Sequence, residues 1–175
     1  MTYLRHLLFC LLLSPTLVLM ACADASAPAA SEVSSERQFD AKLIMMPEAQ
    51  LPEFDKPSDQ IPHVELMSRA KVGDRVALKL VFHSMALRED TSCDVTFDIK
   101  VTKPDGSPYS GTAHENLLAL KGAIPNPNNM YNSDTVLVLE FEPDDPLGKY
   151  AIEVVIRDNI GQTDLTLKEN ITLEQ

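Results

Sequence analysis

The chain has 175 residues, 45% of them hydrophobic, and a formal net charge of −11. That acidity opposes binding to nucleic acid, so no nucleic-acid partner is expected. The length suits one domain after a non-structural N-terminal segment is set aside.

Arg5 and His6 make a short polar start, and Leu7 to Met20 is almost wholly apolar and runs into small residues. That is the build of a secretory signal peptide. It is too short for a membrane helix, which needs about 20 apolar residues. Leu19-Met20-Ala21-Cys22 follows at once and resembles the lipobox of bacterial lipoproteins. The resemblance implies a lipid on Cys22, cleavage before it and acylation of its new amine. It implies a membrane partner reached through that anchor. Ala23, where an Asp would signal retention in the inner membrane, implies an outer-membrane protein facing the periplasm. The alternative is an ordinary signal peptide and a soluble secreted β-sandwich.

Residues 23–40 are Ala, Ser and acid with almost no large apolar side chain. Such a segment buries too little surface to offset its ordering entropy, so 22–40 is read as a lipidated Cys with a disordered tether. The expected order is signal peptide 1–21, tether 22–40 and one β domain 41–175, its core from about 70 onward. Cys10 leaves with the signal and Cys22 takes the lipid, so Cys93 stands alone and no internal disulfide is available.

Ala41 to Met46 is a possible first strand. Pro47, Pro52, Pro57 and Pro62 then punctuate the chain, which reads as an extended connection with at most a short edge strand. From Arg75 the period is two. Val76, Leu78, Leu80 and Phe82 share one face; Arg75, Lys79 and His83 share the other. Cys93, Val95, Phe97, Ile99 and Val101 alternate with Asp94, Thr96, Asp98 and Lys100. Leu137, Leu139 and Phe141 alternate in the same way, as do Tyr150, Ile152, Val154 and Ile156. Leu165, Leu167, Ile171 and Leu173 share one parity of the last run, with Glu169 the exception. Alternation of this kind means strands with one face on a core. Turns are expected at Pro104-Asp105-Gly106, at Asp144 to Gly148 and at Asp158 to Gly161. Residues 107–134, rich in Ser, Pro and Asn, read as a long surface loop.

Several short strands joined by hairpin turns imply two packed antiparallel sheets, an all-β sandwich. Asp145-Pro146-Leu147-Gly148-Lys149-Tyr150-Ala151-Ile152 resembles the entry to the penultimate strand of immunoglobulin-like domains. The resemblance implies a buried Tyr150 whose hydroxyl reaches nearby backbone. The family's core Trp and paired Cys are missing here.

Few residues carry a chemical signature. His63, His83 and His114 lie in no nucleophile motif, and Cys93 shares the inward parity, so no catalysis and no cofactor are expected. Glu142, Asp144 and Asp145 lack the glycines and oxygen count of a calcium loop and read as a charged turn. Asn170-Ile171-Thr172 matches a glycosylation sequon by chance inside a strand. Imidazole with thioether suits Cu(I), which makes His83, Met85, His63 and Met67 the candidate metal ligands. The bland account is Met45, Met46 and Met67 as core filling and His83 as a solvated strand residue. The resulting expectation is a non-catalytic envelope lipoprotein whose domain binds an unidentified protein partner or supports an envelope assembly; the alternative is a periplasmic copper carrier. Tyr109, Met130 and Tyr131 in the 107–134 stretch, and an exposed strand edge, are the expected contact surfaces.

Overall fold

The computed structural model describes residues 38–56 and 60–175 and holds nine strands among them, several of the long ones where the sequence alternates. The expected signal peptide, Cys22 and the expected tether as far as residue 37 lie outside the described residues. The end of that tether is corrected: Phe39 is buried and Asp40 opens the first strand, so the core takes in Phe39, Leu43 and Met45 and does not begin at about residue 70. The strands are β1 (Asp40–Pro47), β2 (Arg69–Lys71), β3 (Arg75–His83), β4 (Ser92–Thr102), β5 (His114–Ala123), β6 (Tyr131–Asn132), β7 (Leu137–Glu140), β8 (Gly148–Asp158) and β9 (Thr163–Glu174); a 3-10 helix, Glu48–Asp55, follows β1.

They form two sheets. In one, β3 pairs with β1 on one side and with β6 and β7 in succession on the other. The second sheet runs β2-β9-β8-β4-β5. With β1, β3 and β7 as A, B and E and β9, β8, β4 and β5 as G, F, C and C′, this is the strand arrangement of an immunoglobulin-like sandwich. One pairing departs from the antiparallel expectation: β2 runs parallel to β9, Arg69 beside Thr172. No hairpin joins those two strands, so turn signals could not set their direction.

The inward parities meet as expected. Val76, Leu78, Leu80 and Phe82 of β3 share the core with Cys93, Val95, Phe97, Ile99 and Val101 of β4 and with Ile152, Val154 and Ile156 of β8. Tyr150 is fully buried, and its hydroxyl donates to the Pro146 carbonyl at 2.9 Å. Its ring meets Phe141 and Tyr109 edge-on, centroids 5.2 and 5.4 Å away. Three aromatic rings, Tyr109, Phe141 and Tyr150, thus pack together at this corner. Cys93 is a buried free thiol, and desolvation pushes its pKa up.

The reading of 107–134 as a loop is overturned. It holds β5, which pairs along β4, and the short β6. Alternation fails there because β5 is bulged. Its register slips between Val95 and Thr96 and again between Phe97 and Ile99, and Asn116 takes a φ of 56°. Each slip shifts side-chain parity by one. As an edge strand β5 also buries only Ala119 fully. The 47–62 connection likewise differs from the extended form expected, since its first half coils into the 3-10 helix.

The β8–β9 turn uses its glycine for space. The positive φ, 52°, belongs to Gln162. A Cβ on Gly161 would stand 2.5 Å from the Asp158 carboxylate. Asp158 is buried and accepts from the amides of Ala86, Ile160 and Gly161, which ties the hairpin to the chain after β3.

Candidate functional site

The outer parity of β1 and β3 carries Ile44, Met46, Ala77, Lys79 and Val81. Met46 and Ala77 are fully buried and Lys79 is 8% exposed, because the 3-10 helix lies over this face. The helix is held at its start by Glu48, which accepts twice from Arg75 of β3 at 2.5 and 3.2 Å. Its other side chains catch the returning chain. Gln50 accepts from the Glu65 amide at 2.7 Å and Glu53 from the His63 amide at 3.2 Å. The Met67 amide then bonds to the Met45 carbonyl of β1 at 2.8 Å.

Beside this cover a cleft of about 880 Å³ stays open. Ile44 and Val81 belong to its lining from the sheet, and Leu120 from β5. Phe54 and the segment with Ile61, Pro62 and Val64 form one wall. Pro125, Met130, Tyr131 and Asp134 form the other. Ile61 is 78% exposed and Met130 64%. The Asn-rich wall is ordered by its own amides: Asn126 accepts from the Asn128 amide through its side chain and from the Tyr131 hydroxyl through its carbonyl. The Pro127 carbonyl accepts from the Ser84 amide at 2.6 Å. A volume in this range with mainly apolar lining and a few amides has the build of a binding cleft.

Of the expected contact residues, Met130 and Tyr131 lie in the cleft. Tyr109 does not. It is half-buried, stacked on Phe141, and donates to Asp145 and to the Glu140 carbonyl. Burial and the Asp145 carboxylate push its pKa well above the usual tyrosine value. The hollow around it, of about 420 Å³, is polar, and Asp145 there is already committed to Tyr109, the Glu142 amide and Lys103. Sequence reading missed Phe54 and Ile61. The available signal was that, with Leu51, they are the large apolar residues of a proline-punctuated stretch.

The copper candidates disperse. Ser84 has a φ of 59°, which breaks the two-residue period after His83. Met85 turns into the core at 2% exposure, while His83 stays on the outer parity, its Nδ1 2.9 Å from Ser84 Oγ and its Nε2 3.9 Å from Asp40. His63 is exposed and Met67 packs half-buried against the core. Among the described residues, no three His, Cys, Asp or Glu side chains are grouped to hold a metal.

No protein-family model matches the chain, and no curated protein does. Solved structures resemble it weakly. An alkylpurine DNA glycosylase from Pseudomonas fluorescens, bound to DNA containing an abasic site analogue, aligns with 78% of this chain and 30% of its own at 10% identity, TM-score 0.43. A family 123 glycoside hydrolase from Clostridium perfringens aligns with 78% and 28% at 10% identity, TM-score 0.43. A Niemann-Pick type C2 protein from the Japanese carpenter ant aligns with 78% and 91% at 12% identity, TM-score 0.41. The chain spans less than a third of each of the two enzymes. Likeness at this level bears on neither activity nor ligand.

Proposed function

We propose that this chain is a non-catalytic envelope lipoprotein, anchored through Cys22, whose sandwich binds an apolar, non-acidic segment of a partner protein in the cleft. The cleft carries the reading. It exposes Ile61 and Met130 at its walls above apolar lining, and an exposed apolar surface of this kind is a common mark of a binding site. Gln60, Asn129 and Asn132 add amides able to bond a peptide main chain. The net charge of −11 disfavours an acidic partner. In this reading residues 23–38 would link the anchor at Cys22 to the folded domain.

Two experiments test this. Cys22→Ser should abolish acyl labelling and processing; a normally processed, unlabelled wild type would end the lipoprotein reading. A partner captured by wild type should be lost with Ile61→Asp and Met130→Asp and kept with Leu147→Asp, an exposed residue outside the cleft. Equal capture by all three variants would end the cleft reading.

A further inference from the structure

β6 and β7 pair with successive parts of one edge of β3. β6 takes Val81 and Phe82; β7 takes Arg75 to Leu78. Lys79 and Leu80 therefore face a break in the edge, at residues 133–136. Ser133 bridges it: its amide donates to the Leu80 carbonyl at 2.8 Å, and its hydroxyl accepts from the Leu80 amide at 3.2 Å. The Ser133 carbonyl is taken by the Lys79 ammonium at 2.9 Å. The same ammonium lies 5.5 Å from the centroid of the Phe54 ring, in the 3-10 helix.

The opposite walls of the cleft thus meet on one buried cation. We propose that Lys79 is a tie that fixes the separation of those walls, holding the helix through Phe54 and the β6–β7 break through Ser133. The chemistry suits the role. An ammonium satisfies a carbonyl and an aromatic face at once, and both contacts strengthen away from water. Desolvation pushes the Lys79 pKa down, while Asp55 on one wall and Asp134 on the other oppose that shift. An apolar side chain here would fill the space but leave the Ser133 carbonyl unpaired, which is costly when buried. The functional meaning rests on the cleft being the partner surface: a partner that spreads the walls must break this tie, and one that fits between them need not.

Amide hydrogen exchange on the full-length protein tests the tie. Lys79→Met keeps an unbranched apolar stem and removes the ammonium. It should speed exchange about tenfold both in the 3-10 helix and at Ser133 and Asp134, while the β4–β8 ladder stays protected. Phe54→Leu keeps apolar cover without the ring and should speed exchange at the same two places by a smaller factor. Acceleration at one wall alone, at neither wall, or equally in every strand overturns the proposal. Should Lys79→Met fail to fold, the Phe54→Leu pattern decides by the same criteria. Partner capture by the Ile61→Asp and Met130→Asp variants is scored separately, so either reading can fail without the other.

Discussion

The β4–β8–β9 ladder and the outer face of the four-stranded sheet treat their polar side chains in opposite ways. On the ladder the outward residues stay wet and pair with one another. Glu153 sits between Lys100 and Lys168 at 2.8 and 3.1 Å, and Arg157 bonds Asp98 and lies 3.6 Å from Asp164. Such exposed pairs contribute little to stability, typically under about 1 kcal/mol each, and the inward apolar row does the holding. On the β1–β3 face the outward parity is roofed by the 3-10 helix, so Met46 and Ala77 are as buried as any core residue and Lys79 must find partners away from water. Alternation tells which residues share a face; it does not tell whether that face is covered.

The sharpest way to stress the contrast is to cut into the core under the ladder. Tyr150→Ala removes a fully buried ring that contacts two others. It should cost about 3–5 kcal/mol in denaturant unfolding, a large part of the roughly 5–15 kcal/mol of a typical domain. Tyr150→Phe should cost about 1 kcal/mol, the value of the bond to Pro146. Near-equal costs would mean that the hydroxyl, not the ring, anchors the corner. Burial also pushes the Tyr150 pKa up to about 12, so its ultraviolet titration should lag that of free tyrosine.

Next in size is Asp158→Ala. It strips the acceptor from three backbone amides at the β8–β9 turn and should destabilise by about 2–3 kcal/mol. Asp158→Asn keeps one acceptor oxygen and should recover part of that loss. A neutral Asp158→Ala would show that the turn is held by its strands alone.

The outward ion pairs should matter less, and mainly in acid. The hydrogen bond from Arg157 holds the Asp98 carboxyl below the usual aspartate range, as that from Lys121 does for Asp94. A depressed folded pKa contributes stability above the unfolded value, about 3.9, and loses it as pH falls through the folded value. Asp98→Asn should therefore cost under about 1 kcal/mol at neutral pH and flatten the stability curve below about pH 4. A loss that grows as pH falls would reverse that assignment.

Smallest of all should be the stability effect of Met130→Asp at the exposed cleft wall, within about 0.5 kcal/mol of wild type by thermal melting. Tyr131→Ala, one residue on, should cost clearly more, because its ring packs on the core and its hydroxyl bonds Asn126. If both are neutral, the Asn-rich wall is less ordered than its hydrogen bonds indicate.

How far each region could be read from sequence follows the same division. β4 alternates strictly, and β3, β8 and β9 each keep one apolar parity, broken only at Glu169, and Tyr150 after the Gly148 turn pointed to the corner. β5 was lost because two register shifts and the left-handed Asn116 erased its parity. The 3-10 helix was lost because prolines suggested extension and its moderate apolar content gave no period. Met130 and Tyr131, singled out from the sequence, line the cleft; Phe54 and Ile61, which line it too, were not legible.

The sequence by itself determined what one side chain and its near neighbours can decide: the acid balance, the strands with one inward face, the turns and the inward parity of Cys93. These are local matters of period, φ preference and charge. Tertiary structure alone decided the parallel pairing of β2 with β9, the break where β6 gives way to β7, and the cover over the β1–β3 face. Each joins segments far apart in the chain through contacts that no local pattern encodes. The cleft belongs to that second class, because Phe54, Ile61 and Val64 on one side and Pro125, Met130 and Tyr131 on the other meet only across the folded sheet.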